Sequence, residues 1–460
     1  MTIEANPLGV ACNLSCPYCY QTSMRTAGNV SVKPDISRMK AALERAGGQF
    51  SVFGGEPLLT PLPVLEELFA FGYSRFGQNG IQTNGSLITA QYIELFRRYR
   101  VHVGMSMDGP ADLNDSRWAG SLERTREATR ASTEALQRLC EAGNVPSLIV
   151  TLYRGNAGTP DLLLRLIDWF QDLEELGVRS VRLHLLEVDS ESVRRTMSLT
   201  DAENLAALTA LYEFQGQTKI RFDLFSEMAK LLMGDDEGAT CVWNACDPYT
   251  TVAVQGVNGQ GEQSNCGRTN KDGVDWRKAG QAGFERQIAL WRSPQNDLGC
   301  QGCRFFFACK GQCPGTAVDG DWRNRTEHCA VWKGMFARIE KDLLVLGRTP
   351  LTVQKNVLTQ VERILIHWWE RGRNVSVASA LRSVRTGQPL SGQDVQQHGD
   401  HWDAPDGHRH TDGPNVVHGD AGVTEYHGDS DMKETEHAST PRTHRLQLVG
   451  RLGRGTLSSS

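Results

Sequence analysis

Val10-Ala11-Cys12-Asn13-Leu14-Ser15-Cys16-Pro17-Tyr18-Cys19-Tyr20 sets three cysteines in one short loop, spaced Cys12-x3-Cys16-x2-Cys19 and followed by an aromatic. Three thiolates offered so close together suit three irons of a [4Fe-4S] cube and leave the fourth iron open to a ligand that is not protein. The same side chains also suit a zinc knuckle. What surrounds the triplet has to separate the two.

Outward from the triplet, short β-rich apolar runs alternate with helical patterns as far as residue 215. The strand candidates are Pro7 to Ala11, Ser51 to Phe53, Ile81 to Thr83, Val101 to Ser106, Leu148 to Tyr153 and Val181 to Leu186. Between the last two, Thr159-Pro160 reads as an N-cap with a first-turn proline. Leu163, Leu166, Ile167, Phe170 and Leu173 then recur at helical spacing, and Gly177 closes the helix. Six βα units predict an α/β fold, a partial (β/α)6 barrel with a parallel sheet and right-handed crossovers. Chemistry in such folds sits at the C-terminal ends of the strands, and the triplet follows the first strand candidate.

Further motifs fall at the next strand ends. Gly54-Gly55-Glu56-Pro57 follows strand two, with glycines that admit a close approach and a carboxylate that can accept from an ammonium group. Gln82-Thr83-Asn84-Gly85 ends strand three. Ser106-Met107-Asp108-Gly109-Pro110 ends strand four, with Asn114, Asp115 and Arg117 just beyond.

Together with the triplet, these elements resemble the radical S-adenosylmethionine (SAM) enzymes. The resemblance implies that Cys12, Cys16 and Cys19 hold a [4Fe-4S] cluster whose open iron chelates the amino and carboxylate groups of SAM. One electron would then split the sulfonium to a 5'-deoxyadenosyl radical. It also implies cofactor contacts from Tyr20, from Gly54, Gly55 and Glu56 toward the SAM amino group, from Thr83, Asn84, Ser106 and Asp108 toward the ribose, and from Arg117 toward the carboxylate. Arg117 comes one residue earlier than the family spacing, which leaves a solvated surface arginine as the competing reading.

Eight more cysteines lie between 241 and 329: Cys241, Cys246, Cys266, Cys300, Cys303, Cys309, Cys313 and Cys329. Gly261-x4-Cys266, then Cys300-x2-Cys303-x5-Cys309-x3-Cys313 and a distant Cys329, resemble the SPASM domain, an extension with two auxiliary [4Fe-4S] clusters. Its interleaved pattern implies Cys241, Cys246, Cys266 and Cys313 for one cluster and Cys300, Cys303, Cys309 and Cys329 for the other. Eight thiolates would serve two zinc sites equally well. If Cys241 is a ligand, the first auxiliary cluster is saturated by protein and carries electrons without binding substrate. Cys140, within a helical run, reads as an ordinary apolar residue.

The expected organisation is a radical SAM core over 1–215, a SPASM domain over 216–345, helices over 346–390 and a tail over 391–460. Leu351 to Arg382 carries Val361, Ile364, Leu365, Trp368 and Trp369 and reads as one or two packing helices. An alternative use for them is a surface that receives a partner. From about 391 the composition turns to Gly, Asp, His, Ser and Thr, and eight of the twelve histidines fall between His398 and His444, so disorder without a fixed metal site is expected.

The 460 residues carry a net charge of -5, which points to neither a nucleic-acid nor an anionic-membrane partner. No stretch approaches the ~20 apolar residues of a membrane span, and Met1-Thr2-Ile3-Glu4-Ala5-Asn6 lacks the features of a signal peptide, so a cytoplasmic protein is expected. Twelve cysteines in a large chain of this kind point to metals rather than disulfides.

Through the SPASM resemblance, the expected substrate is a peptide or protein. The favoured activity is maturation of a ribosomally synthesised peptide by a crosslink, thioether or excision. The alternatives are an anaerobic sulfatase (formylglycine) maturase and a non-enzymatic zinc scaffold. Sulfatase maturases carry an aspartate after the cysteine that matches Cys266; here that residue is Gly267. An electron donor such as flavodoxin or ferredoxin is implied. With eleven residues before Cys12, leader-peptide recognition is expected to fall to a separate protein or to the 351 to 382 helices.

Overall fold

The computed structural model describes residues 2–30, 33–244, 246–250, 254–269 and 283–397, all within one compact unit, Met1–Asp403. Six parallel strands follow one another in sequence and in space: β1 (Thr2–Asn6), β2 (Phe50–Val52), β3 (Asn79–Thr83), β4 (Val101–Ser106), β5 (Ser147–Leu152) and β6 (Ser180–Leu185). The strand order never reverses, and right-handed crossovers then put every connecting helix on the same face. The other face is left as an inner surface.

Alternation along the strands tells the two faces apart. Ile3 and Ala5, Leu148, Val150 and Leu152, and Val181, Leu183 and Leu185 are buried against the helices. The intervening Glu4 and Asn6, Ile149 and Thr151, and Arg182 and His184 turn inward and are only half-buried. The inner face is therefore largely polar, as a reaction chamber would be.

The first strand lies five residues earlier than the Pro7–Ala11 expected from sequence. Pro7 has no N–H for a ladder, and Gly9 takes φ +59 where Val10 turns to accept no strand neighbour but to donate its N–H to Asn29 O. Thr2–Asn6 escaped notice because Glu4 and Asn6 face the chamber and break the apolar run. The sheet also runs past six strands. β7 (Arg221–Phe222) adds to β6, β8 (Val254–Asn258) pairs parallel with β1 across all five residues, and β9 (Gln263–Ser264) pairs antiparallel with β8. Through β8, the cysteine-rich half joins the same sheet.

The expected helix after β5 is present as Pro160–Glu175, with the Thr159 hydroxyl accepting from Leu162 N–H. A second apolar core gathers Phe284, Leu290, Phe306, Phe307, Val361, Leu365, Trp369, Val377 and Leu381. Helices Lys355–Trp369 and Val377–Thr386 belong to it, with Trp369 set 6.1 Å from the Phe284 ring and 6.0 Å from Phe307. Their apolar faces are thus spent on packing. Structure continues beyond the composition change at 391: Asp394 accepts from Ser379, Arg382 and Ser391, and Gln396–Gln397 pairs with Arg373–Asn374. The histidine-rich stretch from 398 onward lies outside the described residues.

Candidate active site

The loop carrying Cys12, Cys16 and Cys19 is held by the loops after β2, β3 and β4. Glu56 N–H donates to Ala11 O at 2.7 Å, and Gly55 N–H to Gly9 O at 3.3 Å. A Cβ on Gly55 would lie 2.2 Å from Ala11 O and 2.4 Å from Val10 O, so this pair of loops closes only with glycine there. The close approach that the glycines permit is to the cysteine loop itself.

Glu56 is 1 % exposed, and its carboxylate takes Leu58 N–H at 3.0 Å, the Thr83 hydroxyl at 2.7 Å and Asn84 N–H at 2.7 Å. Burial raises its pKa against the pull of these donors. They fill three of about four acceptor positions on a carboxylate, leaving room for one further donor. Asn84 Nδ2 in turn donates to Asn13 Oδ1 at 2.8 Å, and Asn13 Nδ2 donates to Ser86 Oγ at 3.0 Å. Glu56, Thr83 and Asn84 thus meet the cysteine loop in one network.

Asp108 anchors the other side. It is fully buried and accepts from the Tyr18 hydroxyl, from Arg117 Nη2 at 3.0 Å and from Thr151 N–H at 2.9 Å. Its own N–H donates to Asn114 Oδ1 at 2.8 Å, and Asn156 Nδ2 donates to its carbonyl at 2.8 Å. Arg117 is no surface residue: its side chain is 12 % exposed, and its Nε is buried with no partner among the described residues. Burial works against this cation, and Asp108, Tyr18 and Cys16, in that order, outweigh it. Cys16 is pushed up to about 12 by burial, with Arg117 opposing. A thiolate there needs a metal in place of its proton.

Ser106 accepts from Gln82 Nε2 at 2.8 Å, which makes Gln82 a member that sequence reading passed over. Tyr18 is a second. It precedes Cys19 within the triplet, binds Asp108 and lies 6.2 Å from the Tyr153 ring. Tyr20, the aromatic singled out from sequence, faces elsewhere: Arg268 lies over its ring at 6.0 Å, and the field of Cys266 reaches it. It joins the triplet to the cysteine-rich half rather than to the loops at 83–84 and 106–108.

The eight downstream thiols fall into two neighbourhoods. Burial pushes Cys241 up to about 12, and the nearest thiols acting on it are Cys313 and Cys246; on Cys266 they are Cys241 and Cys313. Cys300, also raised to about 12 by burial, feels Cys303 and Cys329, and Cys309 feels Cys300, Cys329 and Cys303. Cys300, Cys303, Cys309 and Cys329 line one cavity with Phe305, Phe306 and Phe336. Four thiols around one aromatic-walled cavity fit a four-iron cluster. Among the described residues, no three His, Cys, Asp or Glu side chains converge as ligands of a single metal ion would.

Cys309 and Cys313 part company because Lys310, Gly311 and Gln312 all take left-handed backbone, with φ of 50, 72 and 61. Such angles cost a non-glycine residue about 1–2 kcal/mol each. The turn sends adjacent thiols to different sets.

Glu4 is the group that sequence reading missed altogether. It accepts no hydrogen bond among the described residues, and its field reaches Cys266, Cys241 and Tyr20. Burial raises its pKa from 4.5 to about 7, against Arg268, so it can take up or release a proton near neutrality. The fold then holds this proton more tightly than the unfolded chain does. Stability from Glu4 is full below about pH 4.5 and is lost as pH rises to about 7, by at most about 3 kcal/mol. Glu4→Gln is expected to remove that slope. Urea unfolding at pH 5 and pH 8 checks it, and an unchanged difference between the two pH values would count against the assignment.

Residues 6–156 match the family model described as Radical SAM superfamily. Over 128 residues the chain is 35% identical to the serine-type anaerobic sulfatase-maturating enzyme of Klebsiella aerogenes and 30% identical to the cysteine-type enzyme of Clostridium perfringens (strain 13 / Type A). These alignments take in 25% of this chain and 31% and 35% of those proteins, so the chain spans about a third of the curated relatives it matches. Among solved structures, anSMEcpe with bound AdoMet superposes with a TM-score of 0.60 at 17% identity, over 75% of this chain and 98% of that one. That is a likeness of fold.

Proposed function

We propose that this chain, in which residues 6–156 form a radical SAM domain, is an enzyme that modifies a peptide or protein by hydrogen-atom abstraction. Bound to Cys12, Cys16 and Cys19, a [4Fe-4S] cluster with SAM on its open iron would supply one-electron cleavage of the sulfonium and a 5'-deoxyadenosyl radical. The observation that carries the reading is the convergence of three strand-end loops, those after β2, β3 and β4, on the triplet. Glu56 and Asn84 grip it through Ala11 and Asn13, and Asp108 grips it through Tyr18.

In this reading Glu56 keeps one acceptor position for the SAM ammonium group, and Arg117, beside Cys16, presents its free Nε to the SAM carboxylate. Gly54, Gly55, Thr83 and Ser106 shape the walls of that site. The two downstream sets, Cys241 with Cys246, Cys266 and Cys313, and Cys300 with Cys303, Cys309 and Cys329, would hold auxiliary clusters that carry an electron from the product. A flavodoxin or ferredoxin would deliver the electron for SAM cleavage, and the cytoplasm is the proposed compartment. Among the described residues no helix is long and apolar enough to cross a membrane.

A ribosomally synthesised peptide is the favoured substrate. Native anSMEcpe, which shares the fold, was solved with AdoMet and the Cp18Cys peptide. The named relatives favour a sulfatase as the second reading, but their alignments take in only 25% of this chain. Position 267 argues the other way: a Cβ there would sit 3.2 Å from Met24 Sδ and 3.6 Å from the Tyr20 ring, a tight place for the aspartate that sulfatase maturases carry.

Anaerobic reconstitution with iron and sulfide tests the whole reading. About twelve irons per chain, absorbance near ~400 nm and deoxyadenosine on reduction are expected. Colourless protein full of zinc would overturn it, and formylglycine on a Cys-containing sulfatase peptide would favour the second reading. Cys303→Ala is expected to keep some of the deoxyadenosine formation while product formation stops; normal product yield would remove the electron-carrying role of that set.

A further inference from the structure

Arg286, the second residue of helix Glu285–Arg292, is wholly buried. Its guanidinium donates to the carbonyls of Gln312 at 2.8 Å, Asn324 at 3.0 Å, Gly311 at 3.4 Å and Trp322. All four acceptors are backbone oxygens. Among the described residues no carboxylate pairs with it, whereas Lys310, the residue before Gly311, is matched by Asp236 at 2.8 Å and Arg268 by Glu187 at 2.8 Å. A buried cation without an anion is costly, and proteins ordinarily do not retain one.

The positions of the acceptors say where the missing anion lies. Gly311 and Gln312 form the left-handed turn between Cys309 of one set and Cys313 of the other, and Trp322 and Asn324 belong to the segment leading to Cys329. Thiols of both sets, Cys313 and Cys246 on one side and Cys300 and Cys309 on the other, act on the guanidinium. Arg325 and Lys333 also line the cavity of the second set and act on Cys329, and Arg325 acts on Cys300 as well. Arg286 is the cation on which thiols of both sets act.

We infer that Arg286 is the shared counter-cation of the two auxiliary clusters, raising the potential at which each accepts an electron while its hydrogen bonds hold the turn that separates them. The inference rests on the reading that the eight cysteines bind two clusters. The physical basis is simple: an iron–sulfur cluster with four thiolates is negative and becomes more so on reduction, so a fixed buried cation favours the reduced form. Arg286 acts through the clusters and is a positioning residue.

The test is redox titration followed by electron paramagnetic resonance, with iron counts, on the full chain reconstituted with iron and sulfide. Parent, Arg286→Gln and Arg286→Lys are compared. Gln is expected to move the auxiliary midpoint potentials downward, and Lys, which keeps the charge, to leave them near the parent's. If Gln fails to hold its auxiliary iron while Lys retains it, the charge is again what the clusters need. Unchanged potentials in Gln, equal shifts in both variants, or equal loss of iron in both would overturn the inference. A parent with only about four irons per chain would instead remove the two-cluster reading on which it rests.

Discussion

Cys16→Ala is expected to reduce deoxyadenosine formation to background. Three irons of a cube bound at the triplet would each have one protein thiolate, so loss of Cys16 removes a ligand directly. Mutations that only misorient a metal ligand commonly cost about 10–100-fold, and losing the ligand itself should exceed that. Cys16 also feels the Arg117 guanidinium, itself fixed by Asp108. An anaerobic assay for deoxyadenosine with reductant and SAM makes the measurement. Activity equal to the parent's would sink the proposed function as a whole, because in that reading SAM is cleaved at this triplet.

Asp108→Ala is expected to carry the largest loss of stability, about 3–5 kcal/mol, the usual cost of leaving one member of a buried pair behind. Arg117, Tyr18 and Thr151 N–H would all lose their acceptor inside the protein. Arg117 matters most, since its Nε already lacks a partner and its side chain has little access to water. Asp108→Asn keeps the shape but not the charge and should lose less. Urea unfolding followed by circular dichroism checks both, and a loss under about 1 kcal/mol for the alanine variant would mean that Arg117 finds water or another anion.

The core of the site was legible from sequence because its signals are local. A short run of cysteines, a Gly-Gly-Glu-Pro, a Thr-Asn-Gly and a Ser-x-Asp-Gly-Pro each announce a strand end by their own composition. The strands between them read as apolar runs because their outer faces are packed by helices. Where that contrast failed, so did the reading: Glu4 and Asn6 face the chamber and hid β1, which placed the first strand at Pro7–Ala11. Glu4 itself went unseen for the same reason, since one carboxylate on a short strand looks like solvent-facing alternation. Tyr18 and Tyr20 both flank Cys19, and only the turn of the loop determines that Tyr18 reaches Asp108 while Tyr20 lies under Arg268.

By itself the sequence determined the βα order of the core, the kinds of side chain offered to a cluster and a ligand, and the number of thiols available. These follow from local periodicity and spacing, which the chain states outright. Tertiary structure decided which groups share a neighbourhood. Cys309 and Cys313 stand four residues apart, yet three left-handed residues aim them at different sets. Arg117 looks like a surface residue until Asp108 and Tyr18 enclose it, and Arg286 looks like any helical arginine until four carbonyls from two distant segments close around it. Charge burial and thiol grouping depend on contacts between residues far apart in the chain, and no local pattern encodes those.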